Sequence, residues 1–295
     1  MTNWTVDDLP RQDGRTVIVT GATSGLGRAT ATALAGAGAH VVLAVRDVAR
    51  GAQTAAAIAG STEVRELDLA DLASVRRFAA EWVGAVDVLI NNAGVMAVPE
   101  SRTQDGFEMQ LGTNHLGHFT LTNLLLPRVS DRVVTVSSGL HRRGRIDLSD
   151  LNFTSRPYRP WDAYGQSKLA NLLFTLELER RLEHLGSPVR AHAAHPGFAA
   201  TNLQGHTGNR FITRGSAVAN RIFAQSEQMG ALPTLYAATQ DLPGASYVGP
   251  GGRGEMRGYP ALVGRTAAAS DVAMAKKLWE ASELLTGVSF PLPVS

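Results

Sequence analysis

The chain of 295 residues has no cysteine, which excludes disulfides, thiolate zinc sites and thiol nucleophiles together. It has almost no excess charge, 28 Lys and Arg against 26 Asp and Glu, so the basic patch that grips nucleic acid is missing and no such partner is expected. No apolar run approaches the roughly 18 to 20 residues of a membrane-spanning helix, and residues 1–14 are polar, with Asp7, Asp8, Arg11 and Asp13 among them. No membrane anchor is expected. The composition, 44% hydrophobic and 18% charged, suits a soluble, cytoplasmic protein with a sizeable core. Internal repeats and low-complexity linkers are absent, which makes residues 1–295 one expected domain. No metal site is expected either: His115 and His118 fall on one helix face, but no acidic partner or HExxH pattern accompanies them.

What is present is an alternation. Apolar runs of strand length at 16–20, 40–45, 64–67, 86–91, 132–137 and 189–195 are separated by Ala- and Leu-rich helical periodicity at 27–36, 49–58, 72–82, 103–126 and 163–185. Such runs joined by helices require right-handed crossovers, so the predicted fold class is α/β, a doubly wound parallel sheet with helices on both faces. Two stretches interrupt the pattern. Residues 140–160 carry Arg142, Arg143, Arg145, Pro157 and Pro160 and read as a long loop. Residues 201–228 follow the sixth run and mix Leu203, Phe211 and Ile212 with Gly, Asn and polar residues. Open α/β sheets bind ligands beyond strand C-termini, which makes this second stretch a candidate substrate lid.

The first run leads straight into Thr20-Gly-Ala-Thr-Ser-Gly-Leu-Gly27 and then a helix. Gly21, Gly25 and Gly27 permit positive φ and close backbone approach, with Thr23, Ser24 and Leu26 between them, so the helix N-terminus can present amides to a pyrophosphate. Strand before and helix after is the context that gives a glycine-rich turn this meaning.

Tyr164 and Lys168 lie four residues apart in a helix-forming segment and share one of its faces. A phenol with a pKa near ~10 is a poor acid-base group at neutral pH. A cation ~4 Å away at an effective dielectric near ~20 interacts with its anion by roughly 4 kcal/mol, enough to bring it toward the working range. A half-buried Tyr beside a solvated Lys produces the same spacing, so the rest of the chain must decide.

Thr-Gly-x-x-x-Gly-x-Gly at 20–27, Asn91-Asn-Ala-Gly94, Asn114, Ser137-Ser138, Tyr164-x-x-x-Lys168 and Pro196-Gly197 occur in the order and at roughly the spacing found in the short-chain dehydrogenases/reductases. The resemblance covers about residues 14–290. Residues 137–146, 163–175 and His195-Pro-Gly resemble in particular the retinol dehydrogenase and WW-domain oxidoreductase branch, which shares the long insertion between Ser and Tyr. Animal members of that branch usually carry an N-terminal membrane anchor, for which residues 1–14 offer no match.

The resemblance implies a single-domain Rossmann fold and hydride transfer between a nicotinamide cofactor and an alcohol or carbonyl. It implies Tyr164 as acid/base, Lys168 lowering the tyrosine pKa and holding the nicotinamide ribose, and Ser138 bonding the reacting oxygen, with Ser137 the runner-up. Asn114 would bind a water linking Lys168 to solvent. Asn91, Ala93 and Gly94 would lie beneath the cofactor, Asp68 and Leu69 against adenine, and Pro196, Gly197, Phe198 and Thr201 near the carboxamide. A homodimer or homotetramer is also implied as possible.

Cofactor choice should lie at the end of the second strand. NAD-specific relatives place a carboxylate there for the ribose 2′-hydroxyl, whereas this chain reads Leu43-Ala-Val-Arg46-Asp47. Arg46 suits a 2′-phosphate, so NADP(H) is preferred and NAD(H) possible. The expected activity is alcohol–carbonyl interconversion on a bulky, mostly apolar small molecule. The alternative is an NADP-binding sensor without turnover, whose members usually lose the tyrosine or lysine that this chain keeps.

Overall fold

The strands richest in Val, Ile and Leu sit where both faces are covered. In the computed structural model, which describes residues 3–197 and 226–291, β1 (Thr16–Thr20), β2 (His40–Val45), β4 (Val86–Asn91) and β5 (Val129–Val136) are buried over most of their length. Continuous apolar runs are what a sheet with helices on both faces demands. β3 (Ser61–Glu66) is half-exposed at the sheet edge and more polar. With β6 (Arg190–Ala194), β7 (Tyr247–Pro250) and β8 (Pro260–Leu262) the order is β3-β2-β1-β4-β5-β6-β7-β8, parallel except for β7 against β8.

Helices cover both faces, as the doubly wound pattern requires. α1 (Gly25–Gly36) packs Ala31 and Leu34 on one face together with Leu235 of α7 (Glu227–Thr239). On the other face, α3 (Leu72–Ala80), α5 (Gly117–Leu125), α6 (Pro160–His184) and α8 (Val272–Thr286) bring Phe78, Phe119, Phe174 and Trp279 into one core. Trp279 stacks on Phe174 at 5.5 Å and meets Phe119 edge-on at 4.9 Å, tying α8 to α6 and α5. α2 (Val48–Ala56) starts at Asp47, whose side chain accepts the Arg50 amide. No helix among the described residues is long and apolar enough to cross a membrane.

Several boundaries differ from those the sequence suggests. β3 begins at Ser61, not 64, because its polar first half pairs residue for residue with His40–Val42 of β2. The helix expected over 103–126 is interrupted. Buried Glu108 accepts the amides of Gln110 and Leu111 and so starts a short turn, α4 (Met109–Leu111), which continues through a π-turn (Gly112–Leu116) into α5. The loop expected over 140–160 contains a 3-10 turn, Gly139–Arg143, and then continues without helix or strand to α6, which starts at Pro160. β7, β8, α7 and α8 were not foreseen. Of the expected lid, residues 201–225 lie outside the described residues, together with Leu203, Phe211 and Ile212, while Ser226 caps α7 and 227–228 begin it.

Five histidines are buried with this core. Burial lowers His141, and depresses His115, His192 and His195 to about 4 and His118 to about 3. An unfolded histidine takes up a proton below about pH 6.5, whereas these resist until far lower, so the unfolded chain binds more protons in that window. The stability they confer is complete above pH 6.5 and is lost as pH falls toward 4. The melting temperature, followed by circular dichroism, should fall steadily from pH 7 to pH 5; a flat profile over that interval would contradict the assignment.

Candidate active site

The strand order changes direction between β1 and β4, and ligands of doubly wound sheets bind beyond the strand ends at such a switch point. There the chain encloses a cavity of about 390 Å³. At one wall β1 turns into α1 through Gly21, at φ 68°. A Cβ on Gly21 would stand 2.9 Å from Ala93 Cα, and one on Gly27 only 2.5 Å from Asn92 Nδ2, so glycine is what lets the turn nest against the segment after β4. Thr23, Ser24, Gly25 and Leu26 line the same wall, Ser24 as the extended residue before α1. A backbone cradle closed to side chains at the mouth of a twelve-residue helix fits a dinucleotide pyrophosphate.

At the end of β2, Val45 is buried and Arg46 is exposed at the cavity edge. Asp47 also borders it, but its carboxylate caps α2 by accepting the Arg50 amide at 2.9 Å. Arg50, one helical turn beyond Arg46, lines the same edge and was missed from the sequence, although its spacing of four residues was a usable signal. Neither arginine is paired with a carboxylate among the described residues. Asp68 and Leu69 line the opposite edge just past β3 instead of ending it, and Asp68 accepts the Ala70 amide at 2.9 Å.

The segment after β4 corrects one expectation. Asn91 is fully buried and donates to Thr122 Oγ1 at 2.9 Å, so it points into the core, away from the cavity. Asn92, Ala93 and Gly94 line the cavity instead. The strand alternation puts successive side chains on opposite faces, which is why the pair Asn91-Asn92 divides its work. Thr20 anchors this segment: its Oγ1 accepts the amides of Asn92 and Ala93, both at 2.9 Å, and meets His118 Nε2 at 2.9 Å. Val95, Met96 and Thr113 add lining that no motif or spacing marks.

Tyr164 and Lys168 stand together on the inner wall from α6, and both are buried. Lys168 Nζ lies 5.7 Å from the centre of the tyrosine ring and donates to the Val136 carbonyl at 3.0 Å. The expectation that the lysine lowers the tyrosine is not met in this geometry. Burial pushes Tyr164 up to about 12, with the Ser138 hydroxyl pulling the other way, and burial lowers Lys168 to about 8. The two serines separate by their bonds. Ser137 borders the cavity but donates to the Lys168 carbonyl at 2.7 Å, whereas half-buried Ser138 stays beside the phenol, its Oγ accepting the Leu140 amide at 3.2 Å.

Asn114 is completely buried at the π-turn and does not border the cavity. Its Oδ1 accepts the Val95 amide at 2.8 Å, and Nδ2 donates to Val95 O at 2.9 Å and Ser167 Oγ at 3.0 Å. Both amide donors are therefore committed, while Oδ1 and the main-chain carbonyl, which accepts His118 Nδ1 at 3.0 Å, each keep one acceptor lone pair. Pro196 borders the cavity, Gly197 lies just behind it, and Phe198 and Thr201 fall outside the described residues. Among the described residues no group of His, Asp and Glu could hold a metal.

The model of the short chain dehydrogenase family matches residues 15–210, and the chain belongs to that family. It is an oxidoreductase acting on CH–OH groups with a nicotinamide cofactor. Its relatives place it in the retinol dehydrogenase-like branch. Human retinol dehydrogenase 13 is 44% identical over 294 residues, covering 94% of this chain and 86% of its own, and mouse polyprenol dehydrogenase is 41% identical over 298 residues, covering 95% and 86%. Among solved structures, an uncharacterized protein from Mycobacterium paratuberculosis is 57% identical with a TM-score of 0.87, covering 99% of this chain and 100% of that one. A protein from Beutenbergia cavernae, described as an NAD(P)-dependent gluconate 5-dehydrogenase and solved with bound NADP, is 28% identical with a TM-score of 0.58, covering 78% and 91%.

The insertion between Ser138 and Tyr164 is seated on α6 by a backbone contact. A Cβ on Gly144 would stand 2.3 Å from Gly165 O, the residue next to Tyr164. Gly144→Ala should therefore destabilise the fold by about 1–3 kcal/mol through overpacking, read as a lower midpoint of urea unfolding; an unchanged midpoint would show that the insertion does not depend on this contact.

Proposed function

We propose that the protein is an NADP(H)-dependent reductase or dehydrogenase interconverting an alcohol and a carbonyl on a bulky, mostly apolar molecule, with residues 1–295 acting as one domain. The observation that carries the reading is one cavity with a buried Tyr164–Lys168 pair at one end and, at the other, Arg46 and Arg50, which have no carboxylate partner among the described residues. In between, the glycine turn would hold the pyrophosphate, Asp68 and Leu69 the adenine, and Lys168 and Pro196 the nicotinamide end. When bound, the cofactor gives or takes the hydride at the reacting carbon.

Tyr164 supplies the proton. With its pKa raised to about 12 by burial it is protonated throughout the neutral range and suited to donate to a carbonyl oxygen during reduction. In oxidation it takes the alcohol proton as the phenolate, the form that the Lys168 ammonium over its ring favours. Ser138, whose hydroxyl proton is not committed to the backbone as that of Ser137 is, donates to the same oxygen as alkoxide charge develops. Asn114 positions the segment after β4 through Val95 and holds α6 through Ser167.

The phosphate preference follows from charge. Arg46 and Arg50 present two guanidinium groups where a ribose carboxylate partner would otherwise stand, and Asp47 is occupied as a helix cap. An apolar substrate is supported by Val95 and Met96 in the cavity wall and by Trp161, which is 51% exposed with its ring edge-on to Tyr164 at 6.3 Å. The relatives named for retinol and polyprenol dehydrogenation point to the same chemistry, a long apolar alcohol.

Two measurements test this. Tyr164→Phe should bind NADPH as wild type does while its kcat for reducing a panel of apolar aldehydes and ketones falls at least ~100-fold; an unchanged rate would remove Tyr164 from the mechanism. Arg46→Ala should raise KM for NADPH by about tenfold and leave KM for NADH nearly unchanged, the size of one lost charge-assisted hydrogen bond. Equal effects on both cofactors would sink the preference.

A further inference from the structure

Glu255 holds a backbone conformation that side chains other than glycine avoid. It lies between β7 and β8 at φ 56°, directly after Gly254 at φ 66°, and such strain persists where surrounding contacts over-determine it. Those contacts come from its own carboxylate. Oε1 accepts from Arg142 Nη2 at 2.8 Å, and Oε2 lies 3.2 Å from His195 Nε2.

The two partners belong to the two turns that flank the reacting end of the cavity. Arg142 sits in the 3-10 turn Gly139–Arg143, which Ser138 caps. His195 precedes Pro196, and its Nδ1 accepts the Gly197 amide at 3.2 Å, so the neutral ring carries its proton on Nε2, which lies within ion-pair distance of Glu255 without an aligned hydrogen bond. The same loop presses on the second turn directly, since a Cβ on Gly197 would stand 2.6 Å from Met256 O and 3.0 Å from Glu255 O. Tyr247 fills the space between the turns, its ring 5.0 Å from His195 and 5.6 Å from His141.

The geometry points to Glu255 as a positioning residue that ties the Ser138 turn to the His195–Gly197 turn through its carboxylate. It thereby fixes the separation between the hydroxyl that meets the reacting oxygen and the wall that meets the nicotinamide. The inference rests on the roles of Ser138 and Pro196 given above. Arg142 is 48% exposed, and exposed ion pairs add little to global stability; the effect of the tie is on alignment.

The test compares wild type with Glu255→Gln, Arg142→Gln and the double variant. Glu255→Gln should lower kcat for carbonyl reduction by about tenfold while the Kd for NADPH and the KM change by less than about twofold, the mark of lost alignment without lost binding. Arg142→Gln should act in the same direction, and the double variant should be no slower than the slower single one because both remove the same tie. Amide exchange should quicken in peptides covering 138–144 and 193–197 of Glu255→Gln and stay unchanged elsewhere. That last readout needs no turnover: if wild type reduces no carbonyl, the functional reading falls and exchange alone decides the tie. An unchanged kcat, unchanged exchange in both peptides, or exchange that quickens throughout the fold would each overturn it.

Discussion

The Thr20 hydroxyl is the point on which the site depends. Histidine His118 fixes its role: Nδ1 faces the Asn114 carbonyl at 3.0 Å and must donate there, which leaves Nε2 as acceptor for the Thr20 proton at 2.9 Å. Thr20 is then free to accept the amides of Asn92 and Ala93 with its lone pairs. One buried oxygen thus joins the end of β1, the segment after β4 and the π-turn that carries Asn114. Every member is satisfied, and a fully satisfied buried network is rigid. The arrangement holds only while His118 is neutral, and burial, which depresses it to about 3, keeps it so.

Competition between burial and Coulomb attraction sets the chemistry of the Tyr164–Lys168 pair. A surface pair at helical spacing would shift the phenol downward. Here both groups are enclosed by β5 and α6, desolvation penalises each charged form, and the lysine ammonium is turned to the Val136 carbonyl. The neutral phenol is the stable form, which favours a proton donor. The cavity is therefore asymmetric, with a dry, proton-holding end and a solvated cationic end at Arg46 and Arg50.

Much of this was legible in the sequence because strong constraints act locally. Parallel strands buried on both faces need uninterrupted Val, Ile and Leu, so β1, β2 and β4 could be placed to the residue. The short β7 and β8 carry no such pattern; four and three residues with Gly and Pro become strands because β6 offers an edge to β7, and β7 in turn offers one to β8. The interrupted helix before α5 was equally hidden, since its start depends on buried Glu108 accepting two amides and its π-turn on contacts with Thr103 and Leu69 at Gly112 and Gly117.

The doubly wound class, the glycine turn and the Tyr164, Lys168 and serine motifs can be read from the chain alone, because periodicity, backbone permissiveness and side-chain chemistry act at short range. Packing in three dimensions settled which of Asn91 and Asn92 faces the cavity, which serine keeps its proton free, and that Arg50 joins Arg46. It also placed the Lys168 ammonium over the tyrosine ring and on the Val136 carbonyl, and let Glu255 reach two turns from a distant loop. These are questions of direction and neighbourhood, and a side chain's neighbours are set by how the crossovers pack, across more than a hundred residues of chain in the case of Glu255 and Arg142.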